Sequence, residues 1–267
     1  MDRKSLAQMS GEMERAPKLE LNEIIFNGKK NTFFYVNRKG GLIEKDGKKM
    51  YEKTELGESV NVIFLRIRRK LRMYRKGQSY VMTNEHNTKH DMLTLFEDSN
   101  IIKGTNDQLK EKYGASRLKT VQIVYALLSR EGAEPELVRL VVKGASLGSE
   151  AKGKGVEDFY SYIGGFKKDN KDEHFYEYVT KLYGIAEEGE QGEYYAMTFE
   201  RGSKLSDAQI DTLVATNMKT VFDFVTASDA YYKTKNVEEI TKDTKADGGE
   251  DVIEYPDDDV NSEDIPF

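Results

Sequence analysis

Between Ile63 and Lys76 the chain reads Ile-Phe-Leu-Arg-Ile-Arg-Arg-Lys-Leu-Arg-Met-Tyr-Arg-Lys. Ile63, Leu65, Ile67, Leu71 and Met73 share one parity; Arg66, Arg68, Lys70, Arg72, Tyr74 and Lys76 share the other. Successive side chains of a strand point to opposite faces. The spacing therefore predicts a strand over residues 59–76, apolar on one face and cationic on the other. Val60-Asn61-Val62 just before it favours the strand. Taken at helical spacing, Ile63, Ile67, Leu71 and Tyr74 give the alternative, an amphipathic helix for a membrane or a partner. Arg69 is the one charge on the apolar parity, which places a bulge or a strand end there. A strand with one apolar face needs further strands or helices to cover it.

The rest of the chain supplies them. Residues 19–56 alternate in a β-like way through Leu19, Leu21, Ile24, Ile25 and Phe26, then Phe33, Phe34, Tyr35 and Val36. Gly28, Gly40-Gly41 and Gly47 provide turns. Strands are expected at Ser79–Met82, Met92–Phe96, Leu118–Leu128 and Leu137–Lys143. Thr105–Tyr113 predicts a short helix, with Thr105 and Gln108 at capping-box spacing and Gly114 as its stop. Beyond Lys143 come a helix at about 149–163, a hairpin of 174–187 with 193–200, and a long helix from Ser206. Ser206 and Gln209 again make a capping box. Ile210, Leu213, Val214, Met218, Val221, Phe222 and Val225 recur there at helical spacing. Strands, a short helix, then two strands is the order of a five-stranded oligonucleotide-binding (OB-fold) barrel. The expected class is mainly β, a β-barrel of OB-fold type with added α-helices.

Charge divides the chain. The 267 residues carry 41 bases and 47 acids, a formal −6. Residues 236–267 hold two of those bases and twelve of the acids, −10; residues 1–235 hold 39 and 35, +4. A mildly basic domain, 1–235, is thus followed by an acidic tail, 236–267, too poor in apolar residues to collapse and expected to be disordered. There is no cysteine, which excludes a disulfide scaffold, a thiolate metal site and a thiol nucleophile. No apolar run approaches the roughly 20 residues that span a bilayer. The charged opening residues predict no secretory signal. These features fit a chain in a reducing compartment.

Seven bases fall in residues 66–76 (Arg66, Arg68, Arg69, Lys70, Arg72, Arg75 and Lys76) with no acid among them. Their mutual repulsion is relieved by a polyanion, which in turn releases its counterions. Tyr74 and Tyr80 are placed to stack on bases, and Phe33, Phe34 and Tyr35 are candidates for the same surface. A solvated face paired with acids from elsewhere is the bland alternative.

The sequence finishes Asp257-Asp258-Asp259-Val260-Asn261-Ser262-Glu263-Asp264-Ile265-Pro266-Phe267. A terminal Phe offers a ring for an apolar pocket and a carboxylate for a base or backbone amides. Pro266 restricts the unbound conformations, and the upstream acids steer the segment to basic rims. Asp264, Ile265, Pro266 and Phe267 resemble, residue by residue, the acidic C-terminal tip of bacterial single-stranded DNA-binding proteins. The resemblance covers about the last dozen residues. The body departs from that family: it is longer and has no tryptophan on which to stack DNA. The chain thus resembles a divergent, phage-type member. The resemblance implies a non-enzymatic protein that binds and protects single-stranded DNA in replication, recombination and repair. It implies replication and repair proteins docking on Asp264–Phe267, and a place in the cytoplasm of a bacterial or phage-infected cell, at the nucleoid. It leaves room for an oligomer. The rivals are a recombination mediator or annealing protein, and a replication-complex adaptor, each using the same tip.

Other motifs carry less. Residues 148–155 approach a phosphate-binding loop, but Gly155 stands where a Ser or Thr must hold magnesium, and Glu150 lies within the loop. His86 and His90, with Glu85 and Asp91, would share a metal only on a helix, and the intervening residues predict a turn. His174 is expected at the surface. Phe159, Tyr160, Tyr162, Phe166, Phe175, Tyr176, Tyr178 and Tyr183 form a dense aromatic region. Packing explains it most simply; base stacking, helped by Lys167, Lys168 and Lys171, is the alternative. No catalytic constellation, metal site or cofactor is expected.

Overall fold

A computed structural model describes residues 16–45, 48–75, 78–97, 100–114, 117–130, 132–148, 157–168, 173–189 and 192–234. The chain is mainly β, with a few helices. In order come β1 (Asn22–Asn27), β2 (Thr32–Lys45), β3 (Lys48–Gly57), β4 (Ser59–Arg75), β5 (Gln78–Met82), β6 (Leu93–Glu97), β7 (Asn100–Gly104), α1 (Asn106–Tyr113), β8 (Leu118–Ser129), β9 (Glu136–Val142), α2 (Phe159–Lys168), β10 (Tyr178–Gly189) and β11 (Gly192–Lys204). A last helix begins as α3 (Asp207–Gln209), widens through a π-helical turn (Ile210–Val214) and continues as α4 (Ala215–Thr234). The described residues divide into two compact units. The larger holds 20–69 and 120–221; the smaller holds 16–19, 70–119 and 222–234.

The main sheet runs β11-β10-β4-β8-β9-β1-β2-β3, with β5 paired to the far end of β4. Hairpin neighbours are antiparallel, whereas β1 and β9 run parallel, Glu23 opposite Arg139. The sheet is curled. Part of the curl is visible in one bond. Tyr195 N of β11, at one end of the strand order, donates to Gly28 O in the β1–β2 turn at 2.8 Å. Ile24, Phe33, Val60, Val62, Phe64, Val124, Leu140, Phe159, Tyr162, Leu182 and Phe199 make the core of this unit. The predicted aromatic region largely packs here. Tyr162 lies 5.2 Å from Phe166 and 5.9 Å from Phe199, and its hydroxyl shares a 2.7 Å hydrogen bond with Thr180. In the smaller unit Leu71, Met73, Leu93, Leu95, Leu109 and Leu118 pack together.

Local signals set several boundaries. Thr105 Oγ1 accepts from Gln108 N while Gln108 Oε1 accepts from Thr105 N, and Gly114 stops α1 at φ 88°. Ser206 and Gln209 cap α3 in the same way. Two expectations are corrected, and one strand carries no signal in the sequence. The helix placed at about 149–163 covers Phe159–Lys168, and 149–156 lies outside the described residues. The strand at Asn100–Gly104 was not foreseen, because Asn100-Ile-Ile-Lys-Gly104 is too short to show a period. Phe222, which recurs at helical spacing with the other apolar residues of the last helix, is exposed, while Val214, Val221 and Val225 are buried.

Candidate nucleic-acid interface

β4 runs unbroken through Arg69, so the strand does not end there; the division between the two units falls there. The expected two-faced strand is corrected. In the larger unit Val62 and Phe64, on the parity of the bases, are buried in the core, and Ile63 and Leu65 are buried as well. Arg68, on the supposed solvent face, is 1% exposed. β4 lies between β10 and β8, and an interior strand covered on both faces cannot sort its side chains into wet and dry by parity. Arg66 is half-buried and Arg69 is exposed.

In the smaller unit β4 continues with Lys70 half-buried, its Nζ 3.9 Å from Glu85. Arg72 is 8% exposed and thus also leaves the proposed cationic line. Leu71 N donates to Thr83 Oγ1 at 3.0 Å, which fixes this part of the strand against the β5 end. Tyr74, Arg75 and Tyr80 lie on β4 and β5, but their side chains are outside the described residues, as is Lys76 altogether. Elsewhere in this unit burial and the neighbouring Lys110 push the Lys119 ammonium below its usual value.

Of the aromatic candidates, Phe33 is fully buried, 4.7 Å from Phe26, and offers no ring face to a ligand. Its position facing the core follows from its pairing with Phe26 on β1. Phe34 and Tyr35 are half-buried. Tyr35 belongs to a polar network that sequence inspection missed. Its hydroxyl donates to Glu136 at 2.9 Å, and Asn22 Nδ2 donates to Glu136 at 2.7 Å and to Tyr35 Oη at 2.6 Å. The Arg130 guanidinium lies 4.7 Å over the Tyr35 ring and donates to Glu136 at 3.0 Å. Burial and Glu136 raise the Tyr35 phenol above its ordinary value.

Beside this network Glu23, 1% exposed on its side chain, is held by Arg38 at 2.7 Å and by Arg139. Burial alone would raise this carboxyl; the Arg139 and Arg38 charges outweigh it, so Glu23 stays below the usual carboxylate value. Arg38 also lies 4.2 Å over the Tyr51 ring. The Arg38-Lys39 pair before Gly40-Gly41, and Tyr51 in a lysine-rich strand, were the available signals.

The tip residues Asp264, Ile265, Pro266 and Phe267 lie outside the described residues, with the whole of 236–267 and residues 149–156. His86 is buried and His90 exposed on a loop in which Asp91 accepts from Asn87 N and Thr88 N. No cluster of three metal-ligating side chains occurs among the described residues. His174 is exposed and stacks on Tyr176 at 4.9 Å. No described helix is long and apolar enough to cross a membrane.

Neither a protein-family model, nor a curated protein, nor a solved structure matches this chain.

Proposed function

We propose that this chain is a non-enzymatic, sequence-tolerant binder of single-stranded DNA, with its curled sheet acting as an OB-type barrel. The observation that carries the proposal is the run of seven bases in residues 66–76 without an intervening acid. The Asp264–Phe267 resemblance supports it independently. On this reading Arg66 and Arg69 of the larger unit, and Lys70 of the smaller, each take phosphate. Tyr74, Arg75, Lys76 and Tyr80 keep their proposed roles. Phe34 and Tyr35, half-buried, keep their proposed place as base-stacking residues on the same surface. Arg68, Arg72 and Phe33 are assigned no direct contact, because they are buried. The tip docks proteins of replication, recombination and repair in the cytoplasm of a bacterial or phage-infected cell.

A salt titration of binding to single- and double-stranded oligonucleotides tests this. The expected outcome is a preference for the single strand, with log K falling by about 0.7 per neutralised phosphate for each tenfold rise in salt. Arg69→Ser should lower that slope by about 0.7 across all sequences alike. No affinity for single strands at low salt would sink the proposal in favour of a protein-only adaptor. Deleting Phe267 should leave DNA binding intact and abolish capture of tip-docking proteins.

A further inference from the structure

Strands β2 and β3 continue past the core as a two-stranded arm. Phe33 and Val36 are buried, but every residue from Lys39 to Lys45 is exposed. The arm begins at a register shift between Asn37 and Leu42, where Asn37 Oδ1 accepts from Gly40 N at 2.9 Å and Gly41 adopts φ 74°. Beyond it Leu42 pairs with Tyr51, Ile43 with Met50 and Glu44 with Lys49. Leu42 is 54% exposed, Ile43 42% and Met50 38%. These are three of the six large hydrophobic side chains that stand exposed among the described residues. Directly opposed residues share a face, so Ile43 and Met50 form one aliphatic pair with Lys45 beside it. Neither Lys45 nor Lys49 is in an ion pair among the described residues, whereas Arg38 anchors the root of the arm to Glu23.

Charge decides what such a patch can meet. Residues 38–53 contain six bases and three acids, +3 of the +4 on the whole body. Two copies of this arm would repel each other, whereas a polyanion is attracted to it. Its apolar side chains are aliphatic and flanked by lysine, the combination that wedges between base steps while cations hold the adjacent phosphates.

We propose that the β2–β3 arm is a base-contacting wedge for single-stranded nucleic acid: Ile43 and Met50 contact the bases, Lys45 on their face holds the adjacent phosphate, and Lys49, on the opposite face with Leu42, holds the flanking one. The inference rests on the single-strand reading above and adds to it a surface separate from β4.

The test compares the full chain with Ile43→Ser/Met50→Ser on two strands of equal length, one normal and one of abasic deoxyribose phosphate. Ile43, Lys45, Lys49 and Met50 are all exposed, so the variants should melt at the wild-type temperature. The double variant should bind the normal strand about tenfold more weakly, equivalent to about 1.4 kcal/mol, and the abasic strand as tightly as wild type does. Lys45→Ser/Lys49→Ser should instead lower the salt slope by about 1.4 on both strands. An equal loss on both strands for Ile43→Ser/Met50→Ser, or no loss on either, overturns the wedge while leaving the single-strand reading standing. A wild-type dimer that this variant turns into a monomer, with base-dependent binding unchanged, makes the arm a self-association surface and also overturns it. If wild type binds neither strand, the reading beneath the proposal fails and the wedge with it.

Discussion

Two residues show how closely the curled sheet is fitted. A Cβ on Gly184 would lie 1.8 Å from Asn31 Oδ1 and 2.8 Å from the Phe26 ring. Asn31 itself sits at φ 51° in the β1–β2 turn, a conformation that favours glycine. Gly184→Ala should therefore destabilise the fold by about 1–3 kcal/mol through overpacking. Adding Asn31→Gly removes the nearest atom and relaxes the turn, so the double variant should recover part of the loss in urea unfolding. Additive losses would contradict this coupling. Glu23 makes a second, pH-dependent prediction. Its folded value lies below its unfolded one, so its stabilisation is complete above the unfolded pKa of about 4.3 and fades as pH falls through the folded value. Glu23→Gln should cost about 2–3 kcal/mol at pH 7, somewhat under a fully buried pair because both arginines reach solvent. The variant should also lose this part of the acid dependence in melts between pH 3 and 7.

Elements with local signals form where those signals lie. The capping box of α1 is a clear instance, since both reciprocal bonds are made within four residues. Thr105→Ala should cost about 1 kcal/mol, and Thr105→Ser should restore most of it. Denaturant midpoints of the three proteins measure this, and an unchanged midpoint for Thr105→Ala would show that packing of Leu109 alone holds the helix. Strand β4 is the opposite instance. Its period of two was legible, and it is a strand, but its exposed face was not legible. Alternation reports solvent only when one side of a sheet is open, and β4 has β10 and β8 beside it with both faces covered over part of its length. The β10–β11 hairpin, expected as 174–187 with 193–200, pairs in one register from Thr180 to Gly189.

At the scale of the whole molecule the charge total of −6 conceals a +4 body and a −10 tail. If DNA and tail compete for the same cations, removing residues 236–267 should tighten binding to single strands at low salt. The gain should vanish as added salt screens the tail. Equal affinities of full and truncated chains at low salt would overturn the competition. The +4 is itself unevenly placed: the β2–β3 arm holds most of it, and the seven bases of residues 66–76 are offset by acids elsewhere in the body.

Sequence by itself determined the β-rich class, the hairpins, both helix caps, the divided charge and the tip motif. Each is written in residues a few positions apart, where period, turn chemistry and capping act directly. Tertiary structure decided which of the named side chains reach solvent. Arg68, Arg72 and Phe33 are buried, Glu23 meets Arg139 across 116 residues, and Leu42, Ile43 and Met50 are left exposed where the sheet outruns its core. Burial depends on what covers a face, and that is set by pairings between segments whose local sequences hold no record of one another.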